Sequence, residues 1–388
     1  MKIMVLNLGS TSFKCKLFEM SEKETLLAHG GVERVGEAVS PWQIRLPCAR
    51  SGEDACPRHE DALSLMLDQL TGMGVLSGLA ELDAVGYKAV HGGSLSGAAL
   101  VTPELMEQMA RFNSFAPAHN PMYLRMMEAV ARRYPSLPQV ACFETAFHAT
   151  IPLYRAIYGV PYEWVERYGV RRYGFHGSSH SYIAMCMAEL EPDARRVISI
   201  HLGGSSSLCA ILDGQSIAAS MGATPQSGLF QNNRVGDFDA FCLPALTEAL
   251  GSQREVMKAL ASRSGFLGVS GVSGDMREIL AAMQSGNKRA ALAFDAFCDN
   301  LIGYIGMFRA YLGGLDAICF TGGIGQHCPE VRQRVCEALD IPLDAAGQEG
   351  KISRPDSPVA VYALETNEEL MVARGTMQCL RASSFAPG

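Results

Sequence analysis

Met1–Glu19, MKIMVLNLGSTSFKCKLFE, is apolar at most positions on either side of one short polar break. The pattern predicts a strand, a tight turn at Leu8-Gly9 followed by Ser10-Thr11-Ser12, and a second strand. Arg196–Asp213, RVISIHLGGSSSLCAILD, repeats it: the β-branched, apolar run Val197–Leu202, the turn Gly203-Gly204-Ser205-Ser206-Ser207, and another strand. Setting Leu8 on Leu202 and Gly9 on Gly203 aligns both turns without a gap, 194 residues apart. Neither turn has a bulky side chain, so backbone N–H groups and hydroxyls are free to face an anion. Two copies at half the chain length predict a duplicated domain with two phosphate-cradling turns facing a shared cleft.

Helical spacing of apolar residues marks Glu60–Leu76, Pro103–Phe112 and the Met-rich Met122–Arg133, with a loop expected over Phe112–Pro121. Strands are expected at Ala84–Val90, running into His91-Gly92-Gly93, and at Gln139–Phe143, ending in Glu144-Thr145. Arg171–His180, RRYGFHGSSH, reads as a polar loop opening onto a helix Ser181–Leu190. Beyond the second hairpin come a loop, Ser220–Asp239, and helices through Ser262. The longest helix, Lys288–Leu312, feeds a strand Asp316–Phe320 and a Gly-rich turn, Thr321–Gly325. An amphipathic helix Pro329–Leu339, a strand Val359–Leu364 and a closing helix Glu368–Arg381 complete the pattern. Strands alternating with helices mean α/β. The division expected is 1–148 plus a C-terminal helix at about 368–388, and 149–367 as a nucleotide-binding domain.

At 388 residues and 48% hydrophobic the chain can bury two cores. The net charge of −7, without a long basic run, argues against nucleic acid or a membrane surface as partner. The longest uncharged stretch, Gly214–Asn233, contains Gln, Asn, Ser, Pro and Gly and does not read as a membrane span. The N-terminal segment enters a patterned strand directly, without a signal peptide's apolar run, so a cytoplasmic protein is expected. Twelve scattered cysteines with no C-x-x-C spacing read as reduced thiols, ahead of disulfides or a zinc site.

Six of the nine histidines, His91, His119, His148, His176, His180 and His201, fall at expected strand ends or in loops with Gly, Pro or Ser. Active sites of α/β proteins lie in such places. His176 and His180 have i, i+4 spacing, but Gly177-Ser178-Ser179 between them argues for a loop and against zinc ligation. Anion binders surround the cluster in sequence: Lys14, Lys88, Arg171, Arg172 and Arg234. Isolated carboxylates stand at turn ends: Glu144, Asp237, Asp275 and Glu368. Any one of these charges alone reads as a solvated surface residue. Cations, backbone nests and a few acids together are what phosphoryl transfer needs, because its catalysis is positioning and charge neutralisation.

Eleven segments carry a resemblance: NLGSTSFK (7–14), AVHGG (89–93), APAHNP (116–121), FETAFH (143–148), RRYGFHGSSH (171–180), HLGGSSS (201–207), SMGATPQSGL (220–229), RVGDFD (234–239), SGDMRE (273–278), FTGGIG (320–325) and TNEELMVARGT (366–376). In this order they resemble the acetate kinase family and its propionate kinase relatives over essentially the whole chain. The resemblance implies duplicated ribonuclease H-like domains, the fold of the sugar kinase, actin and chaperone-ATPase superfamily, with a central cleft. It implies reversible transfer of the γ-phosphoryl of ATP to a short-chain carboxylate (acetate + ATP = acetyl phosphate + ADP), with Mg²⁺ or Mn²⁺, in a homodimer. Asn7 and Glu368 would be metal ligands beside Ser10, Ser12 and Lys14. His176 would stabilise the phosphoryl group in flight, Arg234 would neutralise carboxylate and phosphoryl charge, and His119 would support that site. His201, Gly203, Gly204 and Ser205 would cradle the phosphates. Asp275 and Arg277 would meet the ribose and adenine side, and Gly323-Ile324-Gly325 the base.

Departures from the family pattern carry information of their own. Lys88 stands where the family has Arg, keeping the charge but losing the bidentate fork. Glu144 stands for Asp, moving its carboxylate out by about one methylene. The family's H-L-G-N-G is His201-Leu202-Gly203-Gly204-Ser205 here, and its G-T-R-S-G-D is Asn232-Asn233-Arg234-Val235-Gly236-Asp237. The implied acyl pocket, Val90, Ala118, Phe175 and Pro225, has Ala118 for the usual Leu, which would favour an acid longer or more polar than acetate. The substitutions at Lys88, Glu144 and Gly204 also suit a catalytically weakened paralogue that binds nucleotide or acyl phosphate in a regulatory role. Gln326-His327 and Asn232-Asn233 suit a kinase with another phosphoryl donor.

Overall fold

The computed structural model describes residues 1–117, 119–344 and 347–384. They form two units, Met1–Ala146 with the segment from Asn367 onward, and Phe147–Thr366. Unit 1 contains β1 (Lys2–Gly9), β2 (Ser12–Glu19), β3 (Thr25–Glu33), β4 (Ser40–Leu46), β5 (Arg50–Asp54), β6 (Ala84–Ala89), β7 (Ala98–Leu100) and β8 (Gln139–Phe143). Unit 2 contains β9 (Arg196–Leu202), β10 (Ser206–Leu212), β11 (Gln215–Ala219), β12 (Ala317–Thr321), β13 (Gly350–Lys351) and β14 (Ala360–Ala363).

The sheet orders are β5-β4-β3-β2-β1-β6-β8-β7 and β11-β10-β9-β12-β14-β13. Their centres are the same: three antiparallel strands in a meander, then two parallel ones, as β3-β2-β1-β6-β8 and β11-β10-β9-β12-β14. The repeat is therefore one of topology as well as sequence. The two hairpins differ at the turn. Gly9 pairs with Ser12 across a two-residue link, whereas Leu202 pairs with Ser206 across three residues. The gapless alignment fails there by one residue. The wider second turn is closed by the Gly203 N–H donating to Ser205 O at 3.1 Å.

Each sheet is covered on both faces, which is why its strands read as continuous apolar runs. In β1, Met4, Leu6 and Leu8 face helices His59–Gly72 and Asn120–Arg133 through Leu63, Met66, Tyr123 and Met126. Ile3 and Val5 face the closing helix Glu368–Ser384 through Val372 and Ala373. In unit 2, Ile198, Ile200 and Leu202 meet the long helix Lys288–Leu312 through Phe294, Phe297, Leu301 and Ile305. By length and composition that helix could cross a membrane, yet its apolar side fills this core. The opposite face of the sheet packs on Ile183 and Met187 of helix Gly177–Leu190.

Three expectations are corrected. The helix after RRYGFH starts at Gly177, not Ser181; Ser179 and His180 are fully buried and hydrogen-bonded to β9 and β10, so small polar residues serve close packing there. Gly322–His327 is a short helix rather than a turn. A Cβ on Gly322 would lie 2.5 Å from Leu202 O, so glycine is needed for close approach to β9. The 112–121 loop ends early, because helix Asn120–Arg133 already includes Asn120 and Pro121. Strands β3 to β5 carried little signal, since β5 is largely exposed and polar.

The closing helix approaches β6 at Gly86, where a Cβ would fall on Thr376 Oγ1 and lie 3.1 Å from Val372 Cγ1. Gly86→Ala should therefore cost about 1–3 kcal/mol of stability through overpacking. Urea unfolding would measure it, and an unchanged midpoint would show that the helix can move aside.

Candidate active site

The polar residues of unit 1 gather at the ends of β1, β6 and β8 and at the start of the closing helix. Lys88, on β6, donates to Glu368 Oε2 at 2.6 Å. Glu369, the next residue, accepts from Asn7 Nδ2 at 3.2 Å and pairs with Lys16 at 3.0 Å. Burial alone would lower the Lys88 pKa, but the carboxylates of Glu368, Glu144 and Glu369 outweigh it and push it up. Burial would raise Glu369, yet Lys16, Lys88 and the Asn7 amide hold it at about 2. Glu144 is buried at the end of β8. Lys14 is exposed opposite Asn7 in the β1–β2 register, and Ser10 is exposed in the turn. Ser12 closes that turn, which His59 Nε2 contacts at Gly9 O, 2.9 Å away. His119 is the residue at which helix Asn120–Arg133 begins, its side chain making no capping bond, and Val90 is partly buried beside the unit 1 core. Ala118 lies outside the described residues. Glu369 and Lys16 were missed from sequence; the doubled acid Glu368-Glu369 at the helix start was the available signal.

Unit 2 holds a ladder of histidines and serines. His176 caps its helix in the left-handed region, φ 57° and ψ 30°, uncommon for a residue with a Cβ. Its Nδ1 lies 2.8 Å from Ser207 Oγ, and its ring lies against His201 with centroids 4.3 Å apart. His201 Nδ1 is 2.8 Å from Ser179 Oγ. His180 spans Ser199 and Ser207, both at 2.8 Å, and His148 spans Ser216 and Phe175 O, both at 2.9 Å. Phe175 itself is buried. Burial pushes His148 down to about 4 and His180 well below the ordinary value. These two are structural neutral imidazoles, and His91 is likewise buried, accepting from Gly93 N at 3.0 Å. No group of three or more His, Cys, Asp or Glu that could enclose a metal occurs among the described residues.

Arg234 is the informative cation. Its Nη1 donates to Ser205 Oγ at 3.2 Å and to Gln231 Oε1 at 3.4 Å, and among the described residues no carboxylate pairs with it. By contrast Arg195, Arg196, Arg277, Arg354 and Arg374 all pair with acids. Burial lowers the Arg234 pKa, but a guanidinium stays charged. A partly buried cation held only by neutral oxygens keeps its charge available to an anion. Beside it a cavity of about 660 Å³ is lined by Gly203, Gly204, Asp275, Arg277, Gly323 and Ile324, with Asn232, Met276 and Leu280. Asp275 caps helix Met276–Gln284 and pairs with Arg277. Gly325 is buried, and its carbonyl accepts from Arg332 at 2.9 Å. Pro225 O accepts from Gln231 Nε2 at 2.9 Å.

A phosphoryl group in transfer needs cations and amides around it more than a nucleophilic side chain. With a sheet order found twice and glycine turns at strand ends, this places the chain among phosphotransferases of the duplicated ribonuclease H-like fold. The Acetokinase family model matches residues 2–374. The acetate kinase of Bacteroides thetaiotaomicron is 42% identical over 98% of this chain and 100% of its own, and that of Bacillus subtilis 40% identical over 97% and 99%. The crystal structure of Porphyromonas gingivalis acetate kinase superposes with a TM-score of 0.87 at 38% identity, covering 98% and 99% of the two chains. That of a propionate kinase from Francisella tularensis gives 0.91 at 32%, covering 97% and 99%. The chain belongs to the acetokinase family. It is a phosphotransferase with a carboxyl group as acceptor and ATP/ADP as co-substrate.

The buried histidines give a pH signature. Below about pH 6.5 the unfolded chain binds protons that folded His148 and His180 refuse. Stability should then fall from about pH 6.5 towards about 4, by about 1.4 kcal/mol per pH unit for each group. Chemical denaturation at about pH 7 and about pH 5 measures this, and His148→Gln should remove one proton's share of the slope. An identical slope in the variant would show that His148 titrates normally.

Proposed function

We propose that the chain phosphorylates a short-chain carboxylate, acetate or a longer homologue, to its acyl phosphate, with Arg234 as the central anion-binding residue. The observation that carries this is a partly buried guanidinium without an acidic partner beside a glycine-lined cavity. The acceptor is already a carboxylate at neutral pH, so its oxygen can attack the γ-phosphorus without a general base. The bond to the ADP oxygen breaks as the new P–O bond forms. What the protein must supply is alignment and positive charge.

His176 and Arg234 would stabilise the phosphoryl oxygens. The turn His201–Ser205 would hold the phosphates, and Met276, Leu280 and Ile324 would face the base, which favours a nucleotide donor over a small inorganic one. Asp275 and Arg277 would sit at the ribose side. For the acceptor, unit 1 would offer the charges of Lys88 and His119, with Glu144 acting through Lys88, and the acyl-facing Val90 and Ala118; unit 2 would offer Phe175 and Pro225. A divalent cation fits the donor set at Asn7 and Glu368. These are hard oxygens, too few to enclose an ion, as suits Mg²⁺ shared with phosphates and water. Ser10, Ser12 and Lys14 would stand beside it, and the ion's chemistry is charge neutralisation on the nucleotide. Tyr154, 73% exposed, and Phe241, 92% exposed, with Tyr162, Trp164 and Tyr168, leave unit 2 with aromatic surface suited to a homodimer. With ATP as its donor, the enzyme would work in the cytoplasm.

Hydroxylamine trapping of acyl phosphate from Mg²⁺, ATP and a panel of short acids should give a signal with at least one acid. Arg234→Ala and His176→Ala should each lower kcat/KM by about a hundredfold or more at unchanged melting temperature. Near-wild-type turnover in either variant would remove that residue from the mechanism.

A further inference from the structure

Gln231 touches this site at three points. It is fully buried, and both polar ends of its carboxamide are engaged. Pro225 O, at 2.9 Å, can only accept, so the atom facing it is the donor Nε2. Oε1 then faces Ser205, whose hydroxyl donates at 2.8 Å, and Arg234, whose Nη1 donates at 3.4 Å. Arg234 Nη1 also donates to Ser205 Oγ at 3.2 Å, closing a triangle. The main chain is fixed as well. Gln231 N–H donates to Arg234 O at 3.0 Å, and Gln231 O accepts from Phe266 N at 2.8 Å. Gly265, at φ +59°, leaves room for that carbonyl, on which any Cβ would collide.

The residue type suits the task. A carboxylate here would neutralise Arg234 and close the anion site, while an apolar side chain would leave a desolvated N–H without an acceptor. A neutral carboxamide holds the guanidinium and leaves its charge for the ligand.

We propose that Gln231 is a positioning residue for the transfer, aiming Arg234 and tying it to Ser205 of the phosphate-facing turn and to the Pro225 segment. This rests on Arg234 being the anion site, and the test separates the two ideas. Gln231→Met should lower kcat by about ten- to a hundredfold, the loss expected for a hydrogen bond to a charged group. KM for ATP should change by less than about threefold. In an Arg234→Lys background the same substitution should cost less than about threefold, because the partner it aims is gone. Ser205→Ala should give a smaller loss of the same kind. Equal losses from Gln231→Met in both backgrounds, or wild-type kcat in Gln231→Met while Arg234→Ala is inactive, would overturn the proposal. Wild-type turnover in Arg234→Ala would instead remove the anion site itself. Should Gln231→Met not fold, Ser205→Ala decides, and wild-type kcat there overturns it.

Discussion

Burial of both sheets on both faces is the constraint from which the rest follows. A strand covered twice must be apolar on both sides, as β1 is with Met4, Leu6 and Leu8 on one face and Ile3 and Val5 on the other. An unpaired polar group in the middle of such a strand has no water to turn to, so a polar residue there must find a partner, as Ser199 of β9 does in His180. Charged groups stand at or near strand ends and in the turns beyond them. Lys88 near the end of β6, Glu144 after β8, and the glycine turns after β1 and β9 are all in such places.

The two units manage buried charge in opposite ways. In unit 1 the cations of the cluster both have acids, Lys88 with Glu368 and Lys16 with Glu369, while Glu144 adds a third carboxylate within the field of Lys88. In unit 2 Arg234 has no acidic partner among the described residues and is held by a hydroxyl and a carboxamide. A compensated cluster is stable in the absence of a ligand. An uncompensated cation costs stability that a bound anion would return as binding energy. The histidine ladder supports this second arrangement. His180 and His148 remain neutral and bridge serines, while His176 is left at a helix start in a backbone conformation that only tight surroundings sustain.

Most of the sheet centres were legible, because buried parallel strands and long helices write themselves as apolar runs. Gln139–Phe143 and Lys288–Leu312 fall where the pattern put them. The meander β3 to β5 was not legible, since its outer strands are half exposed and polar. Gly177-Ser178-Ser179 misled because the composition that makes a flexible loop also permits a helix to lie close against a sheet. Arg234 stood out as an anion binder and the family resemblance supplied its role, but Gln231 carries no signature of its own. Its meaning lies in three partners at Ser205, Pro225 and Arg234, which no single sequence window brings together. Lys16 and Glu369 escaped for the same reason, being neighbours through β-pairing and a helix that arrives from more than 350 residues away.

That late helix sets an order on synthesis. Unit 2 is complete once residue 366 has emerged from the ribosome, whereas the sheet of unit 1, begun at residue 2, stays uncovered on one face until Glu368–Ser384 follows. Ile3, Val5 and Val140 wait exposed through nearly the whole of translation, and Lys16 and Lys88 wait without their acids. The charge cluster is thus assembled by a helix made after the whole of unit 2. A chain released early would carry a finished unit 2 and an open unit 1, with one sheet face bare and Lys16 and Lys88 lacking their acids, the kind of exposed apolar surface that makes a partly folded chain prone to aggregate.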